Sequence, residues 1–429
     1  MDVKKITNKK LGGGFLTDNE LEFVIRSYID NTINDNTMAN FLRSVHQKGM
    51  SKDETVTLTR IMIESGETIN FQNLNSYVGD KHSTGGVGDK VSIILGPILA
   101  ALGIAVPMLA GRSLGHTGGT IDKLETIPGF KTDLSVENFK KNVERSGICI
   151  MSQTDTICPA DKKIYALRDV TGTIDSIPLI CGSIMSKKIS EGINGLVLDI
   201  KIGNGAFMPT LEEGKKLGSL LKYVGMQFGV STKLVYSNMN QPLGQTAGMW
   251  CEIDESIKAL QGEGAKDLMK VVFELGSRLI VDAGLSDTHL EAVNMQQRSI
   301  SNGKAFKKFE EMVFNQSGQI KKRDDLNKPL FSKEVICQKD GFLKSFNTTA
   351  LGWAAVELGC GRNNKKDILD NSAGIEFNVK VGDPIKKGEL VMRCFNSNEK
   401  KILSAHSQLT NTFEISENKI ESVITIFES

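Results

Sequence analysis

Two glycine-rich stretches and one basic helical segment carry the residue types with which this chain could do chemistry. Asp80–Lys90 reads DKHSTGGVGDK, and Gly111–Thr120 reads GRSLGHTGGT. Glycines let backbone N–H groups come close to an anion, hydroxyls add donors, and a lysine adds a full positive charge. Lys81, Ser83 and Thr120 in such a setting make a phosphate cradle; a pair of tight turns in an α/β fold is the structural alternative. A nucleotide P-loop does not fit: in GGVGDKVS no glycine precedes Lys90, and no Ser or Thr directly follows it. The G-x-G-x-x-G pattern of dinucleotide enzymes is missing as well. The third set is Arg168, Ser183 and Lys187. If Ser183 and Lys187 share a helix, their i,i+4 spacing puts them on one face. Two cations and a hydroxyl there could grip a polar heterocycle or an anion. A solvated basic face is the alternative, because Lys162, Lys163 and Lys188 lie nearby.

The elements that must position these residues follow from periodicity and caps. The N-terminal region reads as helices, with capping boxes at Thr17/Glu20 and Ser51/Glu54, the second helix ending near Gly66. From about residue 78 the texture changes. AVPML (105–109), GICIM (147–151), GLVLDIKIG (195–203) and KLVYS (233–237) read as strands buried on both faces, with helices such as Val136–Arg145 and Leu211–Phe228 between them. Strands separated by helices imply a mostly parallel α/β sheet. Residues 160–192 turn helical again and are expected to pack with the N-terminal helices, with crossings near 66–80, 152–160 and 190–195 as hinge candidates. The expected division is therefore a discontinuous helical domain (1–66 and 160–192), an α/β domain (78–155 and 195–335) and a C-terminal α+β portion (338–429). In that last portion VKVGDPIKKGELV (379–391) resembles a hammerhead-type hairpin, read as structural.

Composition narrows the function classes. The 429 residues carry 52 Lys+Arg against 51 Asp+Glu, and only 6% are aromatic, so neither a nucleic-acid surface nor a base-stacking platform is expected. Seven cysteines without a C-x-x-C, and five histidines without ligand spacing, point to reduced thiols, a cytoplasmic setting and no structural metal. The N-terminus has no apolar signal region. Val91–Gly111 nearly has the length of a membrane span, but Pro97, Pro107 and internal glycines favour a buried helix followed by a buried strand, and no membrane association is expected.

DKHSTGGVGD, GHTGGTIDKLE-x-IPGF, PADKKIYALRDVTGTIDSIPLI, SIMSKKI and MNQPLG together resemble the thymidine phosphorylase and pyrimidine-nucleoside phosphorylase family over most of the chain. The resemblance implies a small helical domain facing a larger α/β domain, closure of the cleft between them, and a homodimer. It implies attack of inorganic phosphate on C1′ of a pyrimidine (deoxy)nucleoside, with no cofactor. Lys81, Ser83, Ser92 and Thr120 would hold phosphate. Arg168, Ser183 and Lys187 would bind the pyrimidine, with Arg168 and Lys187 stabilising charge on the leaving base, and His82 would assist at O2.

This chain departs from the family pattern at four places. A monovalent-cation site, matched here by Gly88, Leu243, Thr246 (where alanine is usual) and Glu255, has Lys90 in place of threonine, so the Lys90 ammonium is expected to replace potassium and pair with Glu255. Ala110 replaces a phosphate-binding serine and predicts weaker phosphate affinity. Met108, expected to contact the substrate, stands where broad-specificity members tend to carry lysine and thymidine-selective ones methionine, which favours thymidine and deoxyuridine over uridine. Ser113 replaces a glycine, and strain follows if that position needs a positive φ. The rival expectations are a phosphoribosyltransferase and, given Ala110 and Ser113, a non-catalytic nucleoside- or phosphate-binding homologue.

Overall fold

The structure is a computed structural model that describes residues 1–320, 327–362 and 367–428. Residues 321–326, 363–366 and 429, which fall in the expected α/β and C-terminal segments, lie outside the described residues. In chain order, α1 (Val3–Leu11), α2 (Asp18–Ile29), α3 (Asp35–Lys48) and α4 (Lys52–Glu64) precede β1 (Gly79–Ser83), α5 (Val91–Ala101), β2 (Val106–Ala110), α6 (Thr120–Leu124), α7 (Val136–Ser146) and β3 (Ile148–Ser152). Then come α8 (Pro159–Thr171), α9 (Ile177–Ser190), β4 (Gly195–Ile202), α10 (Leu211–Gln227), β5 (Ser231–Asn238), β6 (Thr246–Gly248), α11 (Trp250–Leu260), α12 (Lys266–Asp282), α13 (His289–Ser301) and α14 (Lys304–Asn315). The last part holds β7 (Phe331–Ile336), β8 (Gly341–Phe346), α15 (Thr348–Ala355), β9 (Gly374–Phe377), β10 (Pro384–Ile385), β11 (Leu390–Asn396), α16 (Glu399–Leu409), β12 (Phe413–Ser416) and β13 (Ile426–Phe427).

The chain divides into two compact units. The helical unit comprises residues 1–78, 153–196 and 215–233; the α/β unit comprises 79–152, 197–214 and 234–429. In the helical unit both capping boxes form: Glu20 accepts from the Thr17 N–H at 2.8 Å, and Glu54 from the Ser51 N–H at 2.6 Å. The apolar stripes of α2, α3 and α4 (Leu21, Val24, Phe41, Leu42, Leu58, Ile61) meet Ala160 and Ile164 of α8 and Leu179 of α9 in one buried core. That shared core joins the 160–192 segment to the N-terminal helices, because no one of these helices can bury its stripe alone. The unit also holds a buried ion pair, Lys10 Nζ to Glu54 at 2.8 Å. Residues 215–233 group here, although the sequence pattern had placed them with the α/β segment. The Tyr223 hydroxyl donates to Asp53 at 3.0 Å, a tertiary contact with no signature in local periodicity.

Among the described residues the strands form four sheets, and the strands expected to share one parallel sheet are divided between two of them. The order β1-β4-β5-β13 makes a four-stranded sheet whose edge strand β13 is antiparallel to β5, and β2 and β3 form a separate parallel pair with Met108 opposite Ile150. β4 is buried along its whole length, while β5 is only partly buried, so the expectation of burial on both faces holds for the first and not the second. α5 is buried along nearly all of its length, and Gly96 lets it approach β3: a Cβ there would lie 2.7 Å from Ile148 Cδ1. Among the described residues no helix is long and apolar enough to cross a membrane. In the C-terminal part, turns with positive φ at Gly382 and Gly388 flank β10 as the Gly-Asp-Pro and Lys-Lys-Gly runs suggest. The strands around them do not form a hairpin, however. β10 pairs with β8, whereas β11 pairs with β7 and β9 in a different sheet.

Candidate functional site

In the α/β unit the sequence-predicted phosphate residues sit around the end of β1 and the start of α5. Alternation along β1 puts Lys81 and Ser83 on one face and His82 on the other. The Lys81 side chain is 1% exposed; its ammonium donates to Ser92 Oγ at 3.3 Å and lies 3.8 Å from Asp89. Ser83 Oγ donates to the other Asp89 oxygen and accepts from the Gly85 N–H at 3.2 Å. Burial pushes the Lys81 ammonium below its ordinary range, an effect that Asp89 and Asp199 only partly offset. Burial works against the Asp89 carboxylate too, yet the Lys201 and Lys81 charges outweigh it and hold Asp89 far below the usual carboxylate range. Lys201 completes the lattice, 2.6 Å from Asp199 and 3.9 Å from Asp89.

The second glycine loop runs from the end of β2 to α6. Gly119 is required there, since a Cβ would meet Ser113 N at 2.1 Å. Thr120, half-buried, opens α6. Ser113 does not take a positive φ, so the strain expected there does not arise; its N–H donates to Asp122 at 2.7 Å, which accounts for the loop conformation. Ala110 ends β2 opposite Ser152. Met108 is 2% exposed and packed in the strand core, so the side chain expected to touch substrate is a core residue in this conformation. Lys123, on α6, donates to the Asp89 carbonyl at 2.9 Å and pairs with Glu252 of α11, tying the two glycine loops to one helix.

The residues matched to a monovalent-cation site do converge, around Lys90. Its fully buried ammonium lies 3.0 Å from Leu243 O, 2.9 Å from Thr246 O and 2.9 Å from Glu255 Oε2. Gly88 passes so close that a Cβ would sit 2.5 Å from Leu243 O. Burial penalises the Lys90 charge, but Glu255 more than compensates and raises it; burial also penalises Glu255, whose carboxyl Lys90 and Thr246 nevertheless bring below its ordinary value. This oxygen set already holds one positive charge and does not fit a second, free cation. Lys380 braces the same loop from the C-terminal part, donating to Pro242 O at 2.7 Å and pairing with Asp267 at 2.8 Å.

In the helical unit Ser183 and Lys187 lie one turn apart on α9, and Lys187 donates to Ser183 Oγ at 2.9 Å. The same ammonium pairs with Asp161 of α8, a residue that motif reading passed over although it stands in PADKK, two turns before Arg168. Arg168 is placed differently from expectation. Its guanidinium donates to Thr173 O (3.2 Å) and Ile174 O (2.6 Å) in the connection between α8 and α9 and to Leu179 O (2.9 Å) in the first turn of α9, spending three of its five N–H groups. Backbone carbonyls of a connection need hydrogen-bond donors, so in this conformation Arg168 shapes the site more than it lines it. Lys162, Lys163 and Lys188 are all engaged elsewhere, Lys188 with Glu191 and Lys163 with Tyr28 O, so the nearby basic cluster is not a free cationic face. The other residues missed by the motif reading are Asp89, Asp199, Lys201, Lys123 and Glu252. Alternation in LDIKI, which sets Asp199 and Lys201 on one face of β4, was the available signal for two of them.

Half-sites of this kind, on a helical bundle and a glycine-looped α/β unit, define a glycosyl transferase architecture. The description of that family's a/b domain matches residues 75–306, its helical bundle domain residues 4–66, and the pyrimidine nucleoside phosphorylase C-terminal domain residues 342–416. The anthranilate phosphoribosyltransferase of Thermus thermophilus is similar in fold, with a TM-score of 0.59 at 17% identity over 74% of this chain and 99% of that one. At full length the similarity is closer. A pyrimidine-nucleoside phosphorylase of Staphylococcus haemolyticus is 40% identical over 97% of this chain and 96% of its own, and one of Geobacillus stearothermophilus is 37% identical over 100% and 99%. The chain belongs to the pyrimidine-nucleoside phosphorylase family.

Proposed function

We propose that this chain catalyses the phosphorolysis of pyrimidine nucleosides. An oxygen of inorganic phosphate forms a bond to C1′ as the C1′–N1 bond breaks, the electron pair leaves on the base, and the products are (deoxy)ribose 1-phosphate and free pyrimidine. The observation that carries this reading is the Lys81 ammonium, held beside the Ser92 hydroxyl and flanked by Ser83 at the first glycine loop. In it Lys81, Ser83, Ser92 and Thr120 take the phosphate on the α/β unit, and Ser183 and Lys187 take the base on the helical unit. Arg168 keeps two N–H groups for the pyrimidine while it fixes the α8–α9 turn. Lys187 donates to the base oxygen on which charge develops, and such preorganised donors contribute roughly 3–4 kcal/mol each to the transition state. His82 is assigned a supporting donor role at O2; its place on the opposite face of β1 from Lys81 favours base over phosphate as its partner.

The finer points of the proposal rest on single residues. The oxygen set around Lys90 supports a tethered ammonium in the position of a free potassium ion, so the reaction needs no added cation. Met108 supports a preference for thymidine and deoxyuridine over uridine, acting through the packing of β2. The free thiols of all seven cysteines favour a reducing, cytoplasmic setting. A homodimer is expected from the family resemblance and is checked by the mass in solution. The reaction is tested by following free base released from thymidine and from uridine, with and without phosphate. Phosphate-dependent release, faster from thymidine, is expected. Tight nucleoside binding without release would support the binding-protein alternative, and dependence on a pyrophosphorylated sugar and magnesium would support phosphoribosyl transfer.

A further inference from the structure

We propose that Asp161 is a positioning residue for the leaving-group step, acting through Lys187. The inference rests on the phosphorolysis reading above and adds to it a residue that sets how strongly the base is stabilised as it departs. Lys187 has three N–H groups on a flexible stem. One is directed to Asp161 Oδ2 and one to Ser183 Oγ at 2.9 Å, which leaves the third for a ligand in a defined direction. The carboxylate lies behind the ammonium: the Asp161 side chain is 2% exposed and that of Lys187 is 20% exposed. The other Asp161 oxygen is buried with no hydrogen-bond partner. A buried carboxylate left half-satisfied does not serve stability, since burial of charge is costly unless it is paired and fully hydrogen-bonded. Nor does it cap its helix. α8 starts from Cys158, a non-glycine residue at φ 48° with no side-chain cap, and Asp161 accepts no N–H there. Unsatisfied groups and strained backbone gathered at one place mark a functional constraint.

The chemistry follows from the charge balance. When the C1′–N1 bond breaks, negative charge appears on the base within reach of Lys187. A lysine free to swing would have to reorganise at that moment; one already anchored by Asp161 and Ser183 does not. The effect of losing Asp161 therefore grows as the base becomes a poorer leaving group. It is largest for thymine, smaller for uracil and smallest for 5-fluorouracil, whose ring stabilises negative charge by itself.

The test uses the full chain and the 2′-deoxynucleosides of these three bases. Asp161→Asn is expected to lower kcat for thymidine on the order of 100-fold, with a smaller loss for the 5-fluoro substrate and the phosphate KM changed by less than about twofold. In a Lys187→Met background the same substitution is expected to add no further loss, because it acts through that ammonium. Asp161→Glu keeps the charge but shifts it, and is expected to fold and to recover part of the activity; it carries the leaving-group comparison if the Asn variant is unfolded. An equal loss on all three bases, or a loss that adds to that of Lys187→Met, overturns the proposal. Wild-type chain that releases no base in the presence of phosphate overturns the reaction reading itself, before any variant is compared.

Discussion

The α/β unit and the helical unit hold their cations in opposite ways. Around the glycine loops Lys81, Lys90, Lys123 and Lys201 are buried in a lattice of carboxylates (Asp89, Asp199, Glu252, Glu255) that also grips loop backbone. Among the residues proposed for the base on the helical unit the charge is sparser: the Lys187–Asp161 pair and one arginine turned onto backbone carbonyls. The difference matches the ligands proposed for the two halves. A phosphate dianion is small, highly charged and always the same, so a rigid, preorganised cradle suits it. A pyrimidine is neutral until the bond breaks and needs one well-aimed donor more than a strong field.

Substitutions at single residues can break this comparison. The largest effect is expected for Lys81→Met, which removes the ammonium beside Ser92. kcat/KM for phosphate should fall on the order of 10³-fold, while nucleoside affinity, read by binding in the absence of phosphate, stays near wild type. Equal losses toward both ligands would mean that the halves are not separable. Arg168→Lys comes next. A lysine cannot bridge three carbonyls, so urea unfolding should show a loss of about 2–4 kcal/mol, with little change in phosphate KM. A variant as stable as wild type would show that the guanidinium is not holding the turn.

Acid sharpens the contrast by a smaller step. Burial raises Glu54 and Glu255 alike, and hydrogen bonds and lysine charges bring both below their ordinary values. A carboxyl depressed in the folded state contributes stability above its unfolded value of ~4.3, and that stability is lost as pH falls through the folded value. Lys90, raised in the fold, contributes below ~10.4 and loses its contribution as pH rises beyond its folded value. Urea midpoints are therefore expected to hold between pH ~5 and ~9 and to drop toward pH ~3, and Glu255→Gln should flatten the acid limb. An unchanged acid limb in that variant would remove Glu255 from the lattice. The smallest effect is expected for Ala110→Ser, where a restored hydroxyl at the end of β2 should lower phosphate KM about tenfold; an unchanged KM would mean that the missing hydroxyl is not felt.

Much of this is legible in the sequence alone. Capping boxes, strand runs and the two glycine loops are local features, and local rules read them. The shared face of Ser183 and Lys187 follows from helical spacing alone, and the pairing of Lys90 with Glu255 from the residues that the family resemblance brought together. What stayed hidden is tertiary. Nothing in a single segment says that Lys123 reaches Glu252, that Asp161 faces Lys187 from another helix, or that Arg168 turns onto carbonyls of the α8–α9 connection and of α9 itself. The split of β10 and β11 into different sheets escaped for the same reason: a Gly-Asp-Pro turn predicts a reversal of the chain, and not which strand receives it.

The proposed contrast between a prewired phosphate half and a sparse base half stands or falls most sharply on Lys90, whose ammonium lies among Leu243 O, Thr246 O and Glu255. The decisive measurement is phosphorolysis rate against potassium chloride, at constant ionic strength held with sodium, for wild type and Lys90→Thr. A flat wild-type profile beside a variant that is slow without potassium and recovers with it is the predicted result. A wild-type rate that climbs steeply with potassium would contradict it, because the ammonium would then not be filling the cation position.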